Sequence, residues 1–196
     1  MALCLTTAGL AAGCDDSDSS EDGAADDTGS ADGGDGDGGD EGDNTIPANE
    51  YCADVDNWDP AWVQFEAEVL DIANQRRAEG ADCGSEGTFG SAEPLVVHGA
   101  LTCAARVHAQ DMVDRGYFDH TGQDGSSPWD RMERAGYSWR NAGENIAQGY
   151  PDPEAVMQGW MDSDGHCSNI MNPSLRELGV GYVGGSNMWV QVFGTR

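Results

Sequence analysis

The feature that most limits what this chain can fold into is the stretch Asp15–Asn44, built almost wholly from Asp, Gly, Ser, Ala and Glu. It holds no aromatic residue, and Thr28 is its one β-branched side chain. Such a segment cannot bury enough apolar surface to offset the entropy lost on ordering. Its like charges and glycines favour an extended, flexible spacer. Any core must therefore come from the residues that follow, which leaves room in a 196-residue chain for one domain rather than two. The same stretch drives the formal charge to -27, and all nine basic residues are Arg, beginning at Arg76. A surface of that sign repels phosphate backbones and anionic headgroups, which argues against nucleic acid as a partner.

Met1–Ala12 is short and apolar and reads as a targeting segment rather than part of the fold. The run Ala11-Ala12-Gly13-Cys14 resembles a bacterial lipobox, in which the cysteine is acylated and becomes the new N-terminus. The expected organisation is a lipoprotein-type signal peptide over residues 1–13, a disordered acidic linker over 14–50 and a folded domain over 51–196. At about 20 apolar residues per crossing, the first segment is too short to span a bilayer. The membrane is reached through the lipid on Cys14 alone, and the expected location is the cell envelope.

Of the six cysteines, Cys4 lies in the targeting segment and Cys14 is the lipidation site, which leaves Cys52, Cys83, Cys103 and Cys167. An even set in an exported domain reads as two disulfides, with three connectivities open. Asp59-Pro60 starts a helix that carries Trp62, Phe65, Val69, Ile72 and Ala73 on one face and stops at Gly80. Leu101, Ala104, Ala105, His108 and Met112 mark a second helix, with His108 on its apolar stripe as a core histidine. Ser127, Pro128 and Asp130 make a capping box for a third, and Asp152-Pro153-Glu154 starts a fourth. Gly143–Ala147 reads as a short strand, and Leu178–Val183 with Met188–Phe193 as a hairpin. Helices interleaved with short strands suggest an α+β sheet covered on both faces.

Four stretches together resemble the CAP superfamily, which includes cysteine-rich secretory proteins, wasp-venom antigens and plant pathogenesis-related proteins. They are Val69–Arg77; Leu101 through Phe118-Asp119-His120 to Trp129; Gly143-Glu144-Asn145-Ile146; and Trp160-Met161 with Gly165-His166-Cys167-Ser168-Asn169-Ile170. The resemblance implies a three-layer α-β-α sandwich. It also implies pairing of Cys83 with Cys167, and so of Cys52 with Cys103. The family's cleft carries two His and two acids; His120, Glu144 and His166 match, while Ser163 stands where the second acid is usual, flanked by Asp162 and Asp164. His120 and His166 could bind a divalent metal such as zinc weakly, with water completing the shell; no cofactor is required.

The leading expectation is a monomeric, non-catalytic envelope binding module whose cleft holds a lipid, a wall fragment or a protein. The alternatives are a hydrolase using Ser163, a histidine and Glu144, and a purely structural domain. Ser163 lacks a Gly-x-Ser-x-Gly elbow, which weighs against the hydrolase.

Overall fold

A computed structural model describes residues 42–196 and the backbone of residues 2–7. In chain order, β1 is Ala2–Thr7, α1 Pro60–Glu79, β2 Ala81–Asp82, β3 Thr88–Phe89 and β4 Val96–Val97. There follow α2 Gly99–Arg115, α3 Pro128–Arg134, β5 Asn141–Gln148, α4 Pro153–Met161, α5 Asp164–Met171, β6 Glu177–Val183 and β7 Met188–Thr195. The start signals read from the sequence act as expected. Asp59, Ser127 and Asp152 each accept a backbone N–H at a helix N-terminus, and Ser127 with Asp130 closes a full capping box. Two features differ from the sequence reading. Gly165–Met171 belongs to a separate helix, α5, and the loop after α1 carries the small hairpin β2–β3.

The main sheet has the order β1-β5-β7-β6-β4, antiparallel except for β4 beside β6. Along β7, Met188, Val190 and Val192 join one core with α2 and α3, whereas Trp189 and Phe193 join another with α1, α4 and α5. That alternation follows from the two-residue period of a strand. The result is the expected helix–sheet–helix sandwich. Gly179 and Gly181 let α2 lie close against β6, since a Cβ at either would meet the backbone of Leu101–Thr102 or Ala105–Arg106 at 2.0–2.5 Å.

On α1 the buried positions are Glu66, Val69, Ala73 and Arg77, so the apolar face read from the sequence includes two charges. Each charge is matched. Glu66 receives Arg106 Nε at 3.1 Å and the Tyr182 amide at 3.1 Å. Burial raises the Glu66 pKa and Arg106 works against that rise. Arg77 donates to the carbonyls of Glu93, Ile170, Asn172 and Leu175 at 2.8–3.0 Å, tying α1 to the end of α5. Burial, with Arg176 nearby, lowers its pKa to about 10, so it stays charged at neutral pH.

The disulfides are Cys52–Cys103 and Cys83–Cys167, the pairing that the family resemblance implied. They close separations of 51 and 84 residues, and a bridge over loops of that kind typically contributes about 2–4 kcal/mol.

Residues set aside from the fold on sequence grounds nonetheless touch it. Ala2–Thr7 pairs with β5 over six successive positions. Ahead of the expected boundary at 51, the Gly99 amide donates to the Asp43 carbonyl at 2.7 Å and Ile46 packs on the α2 core. The remainder of the spacer and Cys14 lie outside the described residues. Among the described residues, no helix is long and apolar enough to cross a membrane.

Candidate cleft at the edge of β5

The site is assembled around one strand. Because Glu144 lies opposite Val192 and Asn145 opposite Gln191, the two side chains project to opposite faces of the sheet. Glu144 thus faces α2 and α3, while Asn145 faces α5. Gly143, just before them, approaches Asn169 so closely that a Cβ would come within 3.0 Å of its side chain.

On the first face, Glu144 is fully buried and both its oxygens are used. His120 Nδ1 donates to Oε1 at 2.7 Å, and Arg131 donates to Oε2 at 2.8 Å. Arg131, itself buried, also donates to the carbonyls of His120 at 2.9 Å and Ser126 at 3.1 Å. One guanidinium therefore holds the acid and the loop that carries His120. Burial pushes the Glu144 carboxyl up, but Arg131, with His108 and His120, outweighs it and brings the pKa down to about 2. His108 is the core histidine expected: 1% exposed, its pKa driven down to about 4 chiefly by burial. As a neutral ring it donates from Nε2 to the Asp119 carbonyl at 3.0 Å, pinning the same loop. His120 Nε2 is buried and has no hydrogen-bond partner among the described residues.

On the second face, His166 Nδ1 lies 2.7 Å from Ser163 Oγ. Asn145 donates to the His166 carbonyl at 3.3 Å and to Gln191 Oε1 at 3.0 Å. Asn169 returns a bond to Asn145 Oδ1 at 2.8 Å. The Asn of each matched motif thus ties α5 to the sheet. Asp162 and Asp164 do not replace the missing acid. Asp162 accepts from Gln158 at 2.7 Å, and Asp164 accepts from the Ser85 amide and hydroxyl at 2.9 and 2.7 Å, beside the Cys83–Cys167 bridge.

Two chemical consequences follow. A Ser–His–acid triad needs one imidazole bonded to both partners, yet Ser163 bonds to His166 while Glu144 bonds to His120. Glu144 is also not free to complete a divalent-metal site with the two histidines. The matched carboxylate is already saturated by Arg131 and His120, and the nearby guanidinium opposes a cation. Among the described residues no group of three or more His, Cys, Asp or Glu side chains is arranged to hold one. Arg131, Asn169 and Gln191 were not assigned these roles from sequence. Arg131 offered no local signal, because its partners lie 5 to 13 residues away across a turn and a strand.

A helix–sheet–helix sandwich with paired His and Glu at a strand edge defines a CAP-type domain, and a family model agrees. The cysteine-rich secretory protein family (CAP) matches residues 71–193, and the chain belongs to that family. It is 39% identical over 130 residues to the uncharacterized protein YkwD of Bacillus subtilis (strain 168), covering 66% of this chain and 46% of that one. Among solved structures it resembles an extracellular protein containing an SCP domain from Bacillus anthracis, with a TM-score of 0.61 and 26% identity, covering 71% of this chain and 45% of that one. The fold is also shared with an outer surface protein of Borrelia burgdorferi, with a TM-score of 0.54 and 18% identity, covering 68% of this chain and 91% of that one. The chain spans less than half the length of the curated relatives it matches.

The buried pair sets a pH dependence. Because the folded pKa of Glu144 lies below its ordinary 4.5, its contribution is complete above about 4.5 and is lost as pH falls towards about 2. Stability should drop by on the order of 3 kcal/mol across that window from this group. Urea unfolding at a series of pH values should show Glu144→Gln both less stable at pH 7 and flatter across the window. An unchanged acid limb in the variant would assign the effect to other groups.

Proposed function

We propose that this chain is a non-catalytic binding module of the bacterial envelope, whose cleft along β5 holds a lipid, a wall fragment or a protein partner. The observation that carries this reading is the disposition of Glu144. Its charge is spent on Arg131 and His120 inside the fold, so it is neither an exposed base nor a free metal ligand. The hydrogen bond between Ser163 Oγ and His166 Nδ1 favours a second reading, a hydrolase with a Ser–His pair. Purified full-length protein incubated with muropeptides and with unfolded casein should yield no product. Turnover that disappears in His120→Ala or Ser163→Ala would replace the binding reading with the hydrolytic one.

The module is carried, on this proposal, at the end of the acidic spacer by a lipid on Cys14. The lipobox-like run supports the anchor, and the likeness to the extracellular SCP-domain protein of Bacillus anthracis supports the location. Cys14→Ser should shift the protein from the membrane to the soluble fraction with its thermal midpoint unchanged. Equal membrane retention of the variant would remove the anchor from the account.

A further inference from the structure

We propose that the outer edge of β5, Asn141–Gln148, is a strand-addition site that takes an uncharged extended peptide of small and apolar residues, running antiparallel between His120 and His166. This deepens the binding-module reading by naming the ligand class, and it rests on that reading.

Three observations carry it. The first is that the edge is occupied by such a segment. Ala2–Thr7, with the sequence Ala-Leu-Cys-Leu-Thr-Thr, lies against β5 in unbroken register from Ala2 opposite Ala147 to Thr7 opposite Ala142. The second is that β5 lacks the devices that usually blunt an edge. It contains no Pro, Lys or Arg, and it pairs with β7 over eight residues without a bulge. Its one charge, Glu144, is turned into the fold and neutralised by Arg131. The third is the slot itself. The His120 ring stands on one face of β5 through Glu144, and the backbone carbonyl of His166 on the other through Asn145. The other ring nitrogen of His120, Nε2, is buried without a hydrogen-bond partner among the described residues.

The chemistry selects a peptide over a lipid. An open edge offers alternating N–H and C=O groups, which a second backbone satisfies and an acyl chain leaves unpaired. Cleavage before Cys14, as the anchor requires, removes Ala2–Thr7 and opens the edge to a ligand in its place.

Amide hydrogen exchange on the full chain tests this. In a variant carrying Leu3→Pro and Leu5→Pro, which disrupts β1 without altering residues 42–196, exchange over 141–148 should speed by about tenfold or more. A blocked peptide Ala-Leu-Ser-Leu-Thr-Thr should slow it again in a saturable manner, and Ala-Pro-Ser-Pro-Thr-Thr should not. If the variant loses protection in β6 and β7 as well, the measurement moves to the unmodified chain. There, excess peptide should speed exchange within residues 2–7 while 141–148 stay protected. Failure of the first peptide to protect 141–148 or to displace residues 2–7 overturns the strand-addition site. Vesicles of phosphatidylglycerol or purified wall sacculi serve as the parallel arm. Their saturable binding with 141–148 unprotected would overturn this proposal and leave the binding module standing, whereas no binding of any probe would remove both.

Discussion

A carboxylate with no exposure to water has to be compensated, and the candidate site is organised by how Glu144 meets that requirement. An uncompensated buried charge costs several kcal/mol, so the arginine that meets it is as constrained as the acid. Arg131 does more than cancel the charge. By also binding the carbonyls of Ser126 and His120, it fixes the loop between α2 and α3 against the sheet and presents His120 at the strand edge. The same logic recurs in Glu66 with Arg106, and in Arg77 with the carbonyls at the end of α5. Charged residues at buried positions hold the helical layers in register with the sheet, and apolar packing of Trp160, Trp189 and Phe193 supplies bulk stabilisation around them.

The candidate site inherits its character from this arrangement. Glu144 and Asn145 are neighbours in sequence but belong to opposite faces, so each histidine is held from its own side of the sheet. Between them runs β5, and Glu144, Arg131 and Asn145 beside it are committed to hydrogen bonds within the fold. That division explains why a constellation of histidine, glutamate and serine, suggestive of catalysis when read as residue types, assembles neither a triad nor a three-ligand metal site among the described residues. It also gives the family membership a physical content. The four motifs that mark the chain as a CAP protein supply the strand, the two imidazoles and the asparagine bridge that joins α5 to the sheet.

Much of this was legible from the residues alone, for identifiable reasons. Helix starts at Asp59-Pro60, Ser127-Pro128 and Asp152-Pro153 are local chemistry, complete within four residues. The β6–β7 hairpin was visible as two apolar runs around Gly184-Gly185-Ser186-Asn187, and His108 as a ring on an apolar stripe. The motifs placed His120, Glu144 and His166 together at one strand. Arg131, Arg106 and Arg77 escaped because a buried cation is marked only by partners distant in sequence; those of Arg77 on α5 and beyond lie more than 90 residues away. Whether Asp162 or Asp164 substitutes for the acid that Ser163 replaces could not be read, since their directions depend on Gln158 and Ser85. The pairing of Ala2–Thr7 with β5 was hidden for a different reason: an apolar run that reads as an export signal is equally suited to an unguarded sheet edge.

The central claim is that Glu144 and Arg131 act as one unit. A double-mutant cycle with Glu144→Gln, Arg131→Met and the combined variant, followed by urea unfolding at pH 7, measures that directly. Each single substitution should cost about 3–5 kcal/mol by stranding its partner in the interior. The combined variant should cost less than the sum by about 1–3 kcal/mol. Losses that add to within about 0.5 kcal/mol would contradict the account, because the two groups would then be stabilised independently and the cleft would be organised by something else.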